Sequence, residues 1–384
     1  MQPDNIVAIA TKNYHKYSET FIHDCVRYWP GKIAWLYGDY YPQHCRLGEN
    51  GPEINFRKAD APYNIAGGLT AANDLKTLRD FLHDLKPQAM LAHYGPTGVS
   101  LMDVCKQLHI PLYVHFHGYD AYRSDILTSY GRQYPKLFKV AKGLIVVSQA
   151  MHSQLRKLGA PAKKLHLVHY GVEVAGVAQK PLPASPVFSF AGRFTEKKFP
   201  SHVIRAFKEV SLELPDARLV MAGDGELFNQ CRMLTSELGL TDKVSFTGIL
   251  SRRSVTDLLL NSTALVLPSG TTEQGDSEGC PLVILEAGAA SRAVIATRHA
   301  GIPEVIDHGL NGILTEPGDI NALAEGMLML GKNPQLAEKM GNCARTKIEA
   351  EFRRTDYINQ LSSLVYGRST TGVARKIETK ILTT

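Results

Sequence analysis

Short apolar runs alternate with helix-like segments along this chain in two series, and three prolines within six residues (Pro181, Pro183, Pro186) divide them. The first series places candidate strands at 6–11, 33–37, 89–93, 112–117, 144–148 and 165–169, with amphipathic stretches at 18–29, 73–85, 98–108, 130–141 and 149–158 between them. Such alternation predicts parallel βαβ units, because a parallel pair needs a crossover long enough to hold a helix. Prolines so closely spaced cannot continue a helix or a central strand, and they mark a linker. The second series puts strands at 187–191, 217–222, 244–247, 264–267, 293–297 and 312–315, and the chain from about residue 322 reads as helical, with a polar tail. The expected architecture is therefore two doubly wound α/β domains facing across a cleft. The first covers 1–172, a linker 173–186 and the second 187–350; a C-terminal helix and tail, 351–384, crosses back to the first. In open α/β sheets ligands bind beyond the carboxyl ends of the strands, so functional residues are sought there.

Composition narrows the partners. With 384 residues, 44% hydrophobic and 21% charged, the chain has room for two or three domains of ordinary globular composition. No apolar run approaches the roughly 18–20 residues that span a bilayer. The opening Met1-Gln-Pro-Asp-Asn-Ile is not a secretory signal, and six scattered cysteines without a CxxC pair predict reduced thiols. Both point to a cytoplasmic protein. Charge is uneven: 20 Lys and Arg face 13 Asp and Glu through Val172, whereas 23 face 24 afterwards. Such a basic half fits an anionic partner, either a membrane surface or a phosphorylated acceptor, or is a solvated face. Lys136, Lys139 and Lys142 lie near one helix face and could meet anionic headgroups at about 1 kcal/mol each. Nucleic acid is set aside, since the chain has no zinc spacing, aromatic RNA-binding signature or long basic stripe.

The most chemically specific stretch is Gly275-Asp-Ser-Glu278-Gly-Cys-Pro281-Leu-Val-Ile-Leu-Glu286. Pro281 suits the first position of a helix, which puts Glu278 in the preceding loop and Glu286 one turn inside. Helix N-termini present free N–H groups and partial positive charge, and so favour phosphates. A nucleotide diphosphate held there could have one carboxylate on its ribose and another on the sugar it carries. Gly192-Arg193 follows a strand directly, with Lys198 five positions on. Arg193 can give a diphosphate two parallel hydrogen bonds and Lys198 adds a compact charge. Gly223-Asp-Gly225 resembles the start of a dinucleotide fingerprint, but Phe228 replaces its third glycine, leaving a tight turn that lines the cleft. Gly248 and Ile249 end another strand and could meet a nucleobase. His115 and His117 share one strand face, with Gly118 and Asp120 following. No third ligand stands at a recognisable spacing, so no metal is expected and His117 reads as facing the cleft. Ser18 is a candidate N-cap, or a residue of an acceptor pocket together with Glu19, Thr20 and Asp120.

Taken together, these residues resemble retaining glycosyltransferases of family 4, which pair two Rossmann-like domains in the GT-B arrangement. The resemblance covers nearly the whole chain. It rests on Glu278 and Glu286, Arg193 and Lys198, Gly223-Asp-Gly225, Phe246-Thr-Gly248 and Ala296–Glu304, while Ser18–Ile22 and His117-Gly118 resemble a bacterial polysaccharide branch. It implies a UDP- or GDP-sugar donor and a saccharide or lipid-linked acceptor. Arg193 and Lys198 would hold the pyrophosphate in place of a metal cofactor, and Glu286 the ribose. Glu278, with the backbone of Gly279, Cys280, Pro281 and Leu282, would hold the donor sugar. His117, the catalytic candidate together with Glu278, would approach that sugar from the N-terminal domain. Two departures stand out: Tyr14–Thr20 replaces a Gly-Gly loop, and Phe199 follows Lys198 where many members have glycine. A sugar-nucleotide epimerase of the same fold and a non-catalytic nucleotide-sugar binder are the alternatives.

Overall fold

The computed structural model describes residues 6–14, 16–56 and 77–368; the expected helix start at 73–76 and the polar tail lie outside the described residues. Among them are two sheets. The first is built from β1 (Ile6–Ala10), β2 (Lys32–Tyr37), β3 (His44–Leu47), β4 (Glu53–Asn55), β5 (Ala89–His93), β6 (Leu112–His115), β7 (Gly143–Val146) and β8 (Leu165–Leu167). Its order is β4-β3-β2-β1-β5-β6-β7-β8. The second holds β9 (Val187–Ala191), β10 (Arg218–Ala222), β11 (Val244–Gly248), β12 (Ala264–Leu267), β13 (Ala293–Thr297) and β14 (Gly312–Thr315), in the order β11-β10-β9-β12-β13-β14. All its pairings are parallel.

Helices cover both faces of a parallel sheet, so its central strands are apolar throughout rather than alternating. β5, β6, β7, β12, β13 and β14 are buried at every position. That continuity made them legible as runs. The strand order reverses between β1 and β5 in the first sheet and between β9 and β12 in the second. Each reversal leaves a crevice at the carboxyl ends, where loops leave in opposite directions.

Three sequence expectations are corrected. The antiparallel pair β3 and β4 was missed: it is short, polar and at an edge, held by Tyr37 Oη donating to Glu53 at 2.7 Å and Arg46 Nε donating to Tyr37 at 3.1 Å. The helix expected over 130–141 is three pieces, Ser124–Tyr130, a turn Gly131–Gln133, and Tyr134–Val140, where Pro135 opens the last. Pro281 is the N-cap of Leu282–Ala289 rather than its first residue, with an extended ψ of 116°.

The final helix Arg354–Val365 lies against the first half of the chain. Just beyond it Tyr366 Oη accepts from Trp29 Nε1 at 3.0 Å and donates to the Pro30 carbonyl at 3.1 Å. The Arg354 guanidinium sits 3.8 Å over the Tyr28 ring. The halves also meet at Asp24, whose carboxylate accepts two bonds of 2.6 and 2.7 Å from Arg252, and at Glu304, which accepts from the Gln149 N–H and contacts His169 Nε2, each at 2.8 Å.

Candidate active site

Both crevices open into one cleft of about 630 Å³. Its C-terminal wall is made by the loops after β9, β10, β11 and β12, carrying Gly192, Arg193, Lys197, Lys198, Gly223, Ile249, Arg252 and Glu278–Leu282, with Glu286 behind. The N-terminal wall brings Lys12, Tyr17–Phe21, Tyr94, His117 and Tyr170. Gly248 stands one residue outside this lining; its φ of +69° turns the chain so that Ile249, 52% exposed, faces the space.

The charged groups fall into two kinds. The side chains of Arg193 and Glu286 make no hydrogen bond or ion pair with the described residues, so their donors and acceptors remain for a ligand. Burial pushes the Glu286 carboxyl above its ordinary range, partly opposed by Arg252. Lys198 and Glu278 instead hold each other: Nζ lies 3.1 Å from Oε1, and Lys197 lies 4.0 Å from the same oxygen. Burial tends to raise Glu278, but Lys198 and then Lys197 outweigh it and hold the carboxyl down at about 2. Burial depresses Lys198, against the raising effect of Glu278. Lys197, passed over in the sequence, is as buried as Lys198 and binds Asp276 at 3.1 Å, which anchors the loop before Glu278.

Phe199 stands where the resemblance leads one to expect glycine. Its backbone is left-handed at φ +44°, a conformation that costs a side-chain-bearing residue about 1–2 kcal/mol. Its ring packs so closely on Gly270 that a Cβ there would lie 2.5 Å away. The turn that aims Lys198 is therefore kept.

On the opposite wall the helix Thr20–Arg27 begins one residue later than a Ser18 cap would start it; Glu19 occupies the N-cap, without a side-chain cap bond. Ser18, Glu19 and Thr20 all line the cleft, but the Glu19 carboxylate is engaged by Asn13 at 3.2 Å and Lys16 at 3.4 Å. Asp120, expected to face the acceptor, is fully buried. Its carboxylate accepts from the N–H groups of His117, Gly118 and Gly95 at 3.0, 2.9 and 3.0 Å. It shapes the loop that bears His117 and touches nothing in the cleft. Lys136, expected on a lipid-facing surface, pairs with Asp103 at 3.0 Å.

His117 is one of three clustered imidazoles. Its Nε2 lies 2.9 Å from His93 Nδ1 and its Nδ1 lies 2.5 Å from Tyr170 Oη. Burial first, then neighbouring rings, keep His115 and His117 well below the ordinary histidine range, so they are neutral at pH 7. His93 went unnoticed in the sequence because it ends a different strand; β5 and β6 pair it directly with His115.

Residues 178–347 match the family model described as glycosyl transferases group 1, and residues 45–175 match that of glycosyltransferase family 4. The chain is a glycosyltransferase built of a family 4 domain followed by a group 1 domain. It is 29% identical over 285 residues to the amylovoran biosynthesis glycosyltransferase AmsK of Erwinia amylovora, covering 72% of this chain and 69% of AmsK. Over 173 residues it is 35% identical to the N-acetyl-alpha-D-glucosaminyl L-malate synthase of Bacillus anthracis, 45% of this chain and 43% of that one. Among solved structures, Anabaena HepE in complex with UDP and glucose superposes with a TM-score of 0.74 at 17% identity, over 94% of this chain and 99% of HepE. Sucrose-phosphate synthase from Thermosynechococcus elongatus gives 0.75 at 17%, over 94% and 98%. Likeness at that identity speaks for the fold, which is GT-B.

The glycosyltransferase brings its two walls together through glycine. A Cβ on Gly279 would lie 2.4 Å from the His117 carbonyl oxygen. Gly279→Ala is therefore expected to push the walls apart and lower transfer by about 10²-fold, the usual cost of ångström-scale misplacement. The two sheets keep their own cores, so the far-UV spectrum stays that of the wild type. Steady-state kinetics beside circular dichroism decide this, and wild-type turnover in the variant would show the contact to be slack.

Proposed function

We propose that this glycosyltransferase moves a hexose-type sugar, with retention of configuration, from a UDP- or GDP-sugar to a saccharide or lipid-linked acceptor in cell-surface polysaccharide or glycoconjugate synthesis. One observation carries the reading: Arg193, Lys198, Glu278 and Glu286 all reach one cleft at the β9/β12 strand-order reversal. A diphosphate brings two or more negative charges into a half-buried space. Arg193, whose donors are unspent, and Lys198 offset them without a metal ion at the phosphates. The N-terminus of Leu282–Ala289 adds partial positive charge from the same side. Glu286, an acceptor with no protein partner, suits a ribose diol. Glu278 and the neighbouring backbone suit sugar hydroxyls.

In the reaction the bond from the anomeric carbon to phosphate oxygen breaks, and one to the acceptor oxygen forms on the same face. The acceptor proton passes to the departing diphosphate, whose growing charge Arg193 and Lys198 stabilise. The relatives include an amylovoran biosynthesis enzyme, and HepE was solved with UDP and glucose. These names support a polysaccharide context and a nucleotide-sugar donor. No helix among the described residues is long and apolar enough to cross a membrane. We place the enzyme in the cytoplasm, at the inner membrane face when its acceptor is lipid-linked.

A thermal-shift screen over UDP- and GDP-sugars should raise Tm with the true donor. With that donor, Arg193→Ala and Glu286→Ala should each lower kcat/KM by at least about 10²-fold while the fold survives. Wild-type activity in either variant would sink the site assignment. Donor incubated alone should stay unisomerised; an epimerised sugar would replace transfer with epimerisation.

A further inference from the structure

Three histidines stand together on the N-terminal side of the cleft. His93 ends β5, His115 ends β6 in register with it, and His117 follows two residues later. One ring nitrogen from each lies within 4.8 Å of the others. His93 and His115 are fully buried, and three of their ring nitrogens (His93 Nε2, His115 Nδ1 and Nε2) have no hydrogen-bond partner. A neutral imidazole carries one N–H and one lone pair, so His115 leaves both unused in a dry interior. Buried polar atoms in a native protein normally find a partner.

We propose that His93, His115 and His117 form a binding site for a divalent ion of the zinc class, on the N-terminal floor of the cleft and apart from the diphosphate. Neutral imidazole is the ligand form that zinc-class ions take, and three such ligands leave a fourth position for water. Zinc–nitrogen bonds of roughly 2.0–2.1 Å hold tetrahedral ligand atoms slightly further apart than the 2.9 Å between His93 Nδ1 and His117 Nε2. Admitting the ion takes a small parting of these two rings and an approach of His115, whose nitrogen lies within 4.8 Å of the other ligands. With Nε2 of His117 on the metal, its Nδ1–H donates to Tyr170, the outer hydrogen bond that metal-bound histidines commonly make. The buried Asp120 carboxylate, bonded to the His117 N–H, supplies negative charge nearby. Spacing along the sequence hides the set because its members come from two strands.

Cobalt(II) and zinc(II) test the site directly on the full chain. Chelator-treated protein titrated with Co²⁺ should develop the visible absorption of tetrahedral cobalt and saturate at one equivalent. Zn²⁺ should abolish that signal and raise Tm. His115→Ala and, as a milder variant, His93→Gln should lose both responses while far-UV circular dichroism stays native. His299→Ala, outside the cluster, should keep both. A wild-type chain that shows no cobalt spectrum and no zinc-dependent Tm rise overturns the proposal. So does binding that survives both cluster variants. Nucleotide-sugar binding is measured separately, so failure here leaves the donor site standing.

Discussion

Glu278→Gln is expected to destabilise the fold by about 3–5 kcal/mol and to cut sugar transfer by at least about 10²-fold. The carboxylate and the two ammonium groups around it are 11%, 10% and 7% exposed. Removing one member of a buried ion pair leaves its partner charged and poorly solvated, and that is worse than never having had the pair. Titration separates this reading from a mere packing defect. The Glu278 carboxyl sits at about 2, against 4.5 for an ordinary glutamate. Its stabilisation is complete above the ordinary value and is lost as pH falls from about 4.5 to about 2. The glutamine variant lacks that slope. At the alkaline end, burial already lowers Lys198 and Glu278 is what raises it. Without Glu278 the ammonium is lost at lower pH, so the alkaline limb of activity moves toward neutrality. Urea unfolding across pH and a pH–rate profile measure both effects. An unchanged midpoint together with an unshifted alkaline limb would show that Glu278 and Lys198 act independently.

The architecture was legible because parallel sheets advertise themselves. A strand covered on both faces has no polar side, so β9, β12, β13 and β14 stand out as apolar runs with the bounds the structure gives them. The β3–β4 hairpin escaped for the converse reason. One strand is His-Cys-Arg-Leu and the other three residues long; Cys45 is their one buried residue, and both are tied to Tyr37 by side-chain bonds. Pro135 likewise broke a helix that its apolar spacing had made continuous.

The C-terminal wall of the cleft was legible where chemistry and chain order coincide. Arg193 and Lys198 lie in one segment after a strand, and Glu278 and Glu286 in the loop and the helix that follow another. What pairs across the fold was not. Nothing in the order of residues joins Asp24 to Arg252, 228 positions apart, or Glu304 to His169. The burial of Asp120 was equally hidden. A polar residue after a histidine-bearing strand suggests ligand contact, yet its three acceptor bonds run to backbone N–H groups that only the folded loop presents.

That same burial makes Asp120→Ala the second large perturbation expected. Three backbone N–H groups lose their acceptor at once, at roughly 1–3 kcal/mol each. Partial relaxation toward the cleft should leave a net loss of about 3–5 kcal/mol. The loop it shapes carries Gly118 at φ +145°, and the carbonyl of His117 abuts Gly279 across the cleft. Transfer should therefore fall along with stability, although Asp120 touches no substrate. Asp120→Asn separates charge from geometry. Its amide oxygen can still accept from His117 and Gly118 while its NH₂ faces the Gly95 N–H, so about one bond is lost, or roughly 1–3 kcal/mol. Burial raises the wild-type carboxyl to about 6, against the lowering effect of its backbone N–H partners. An acid whose pKa is raised by folding stabilises most when protonated. Its contribution is full below the ordinary 3.8 and is lost as pH rises through about 6. The difference in stability between wild type and Asp120→Asn should thus be largest near pH 4 and shrink by pH 7. A difference that is flat across that interval would mean that the carboxylate is ionised throughout and that the N–H groups, not burial, set its charge.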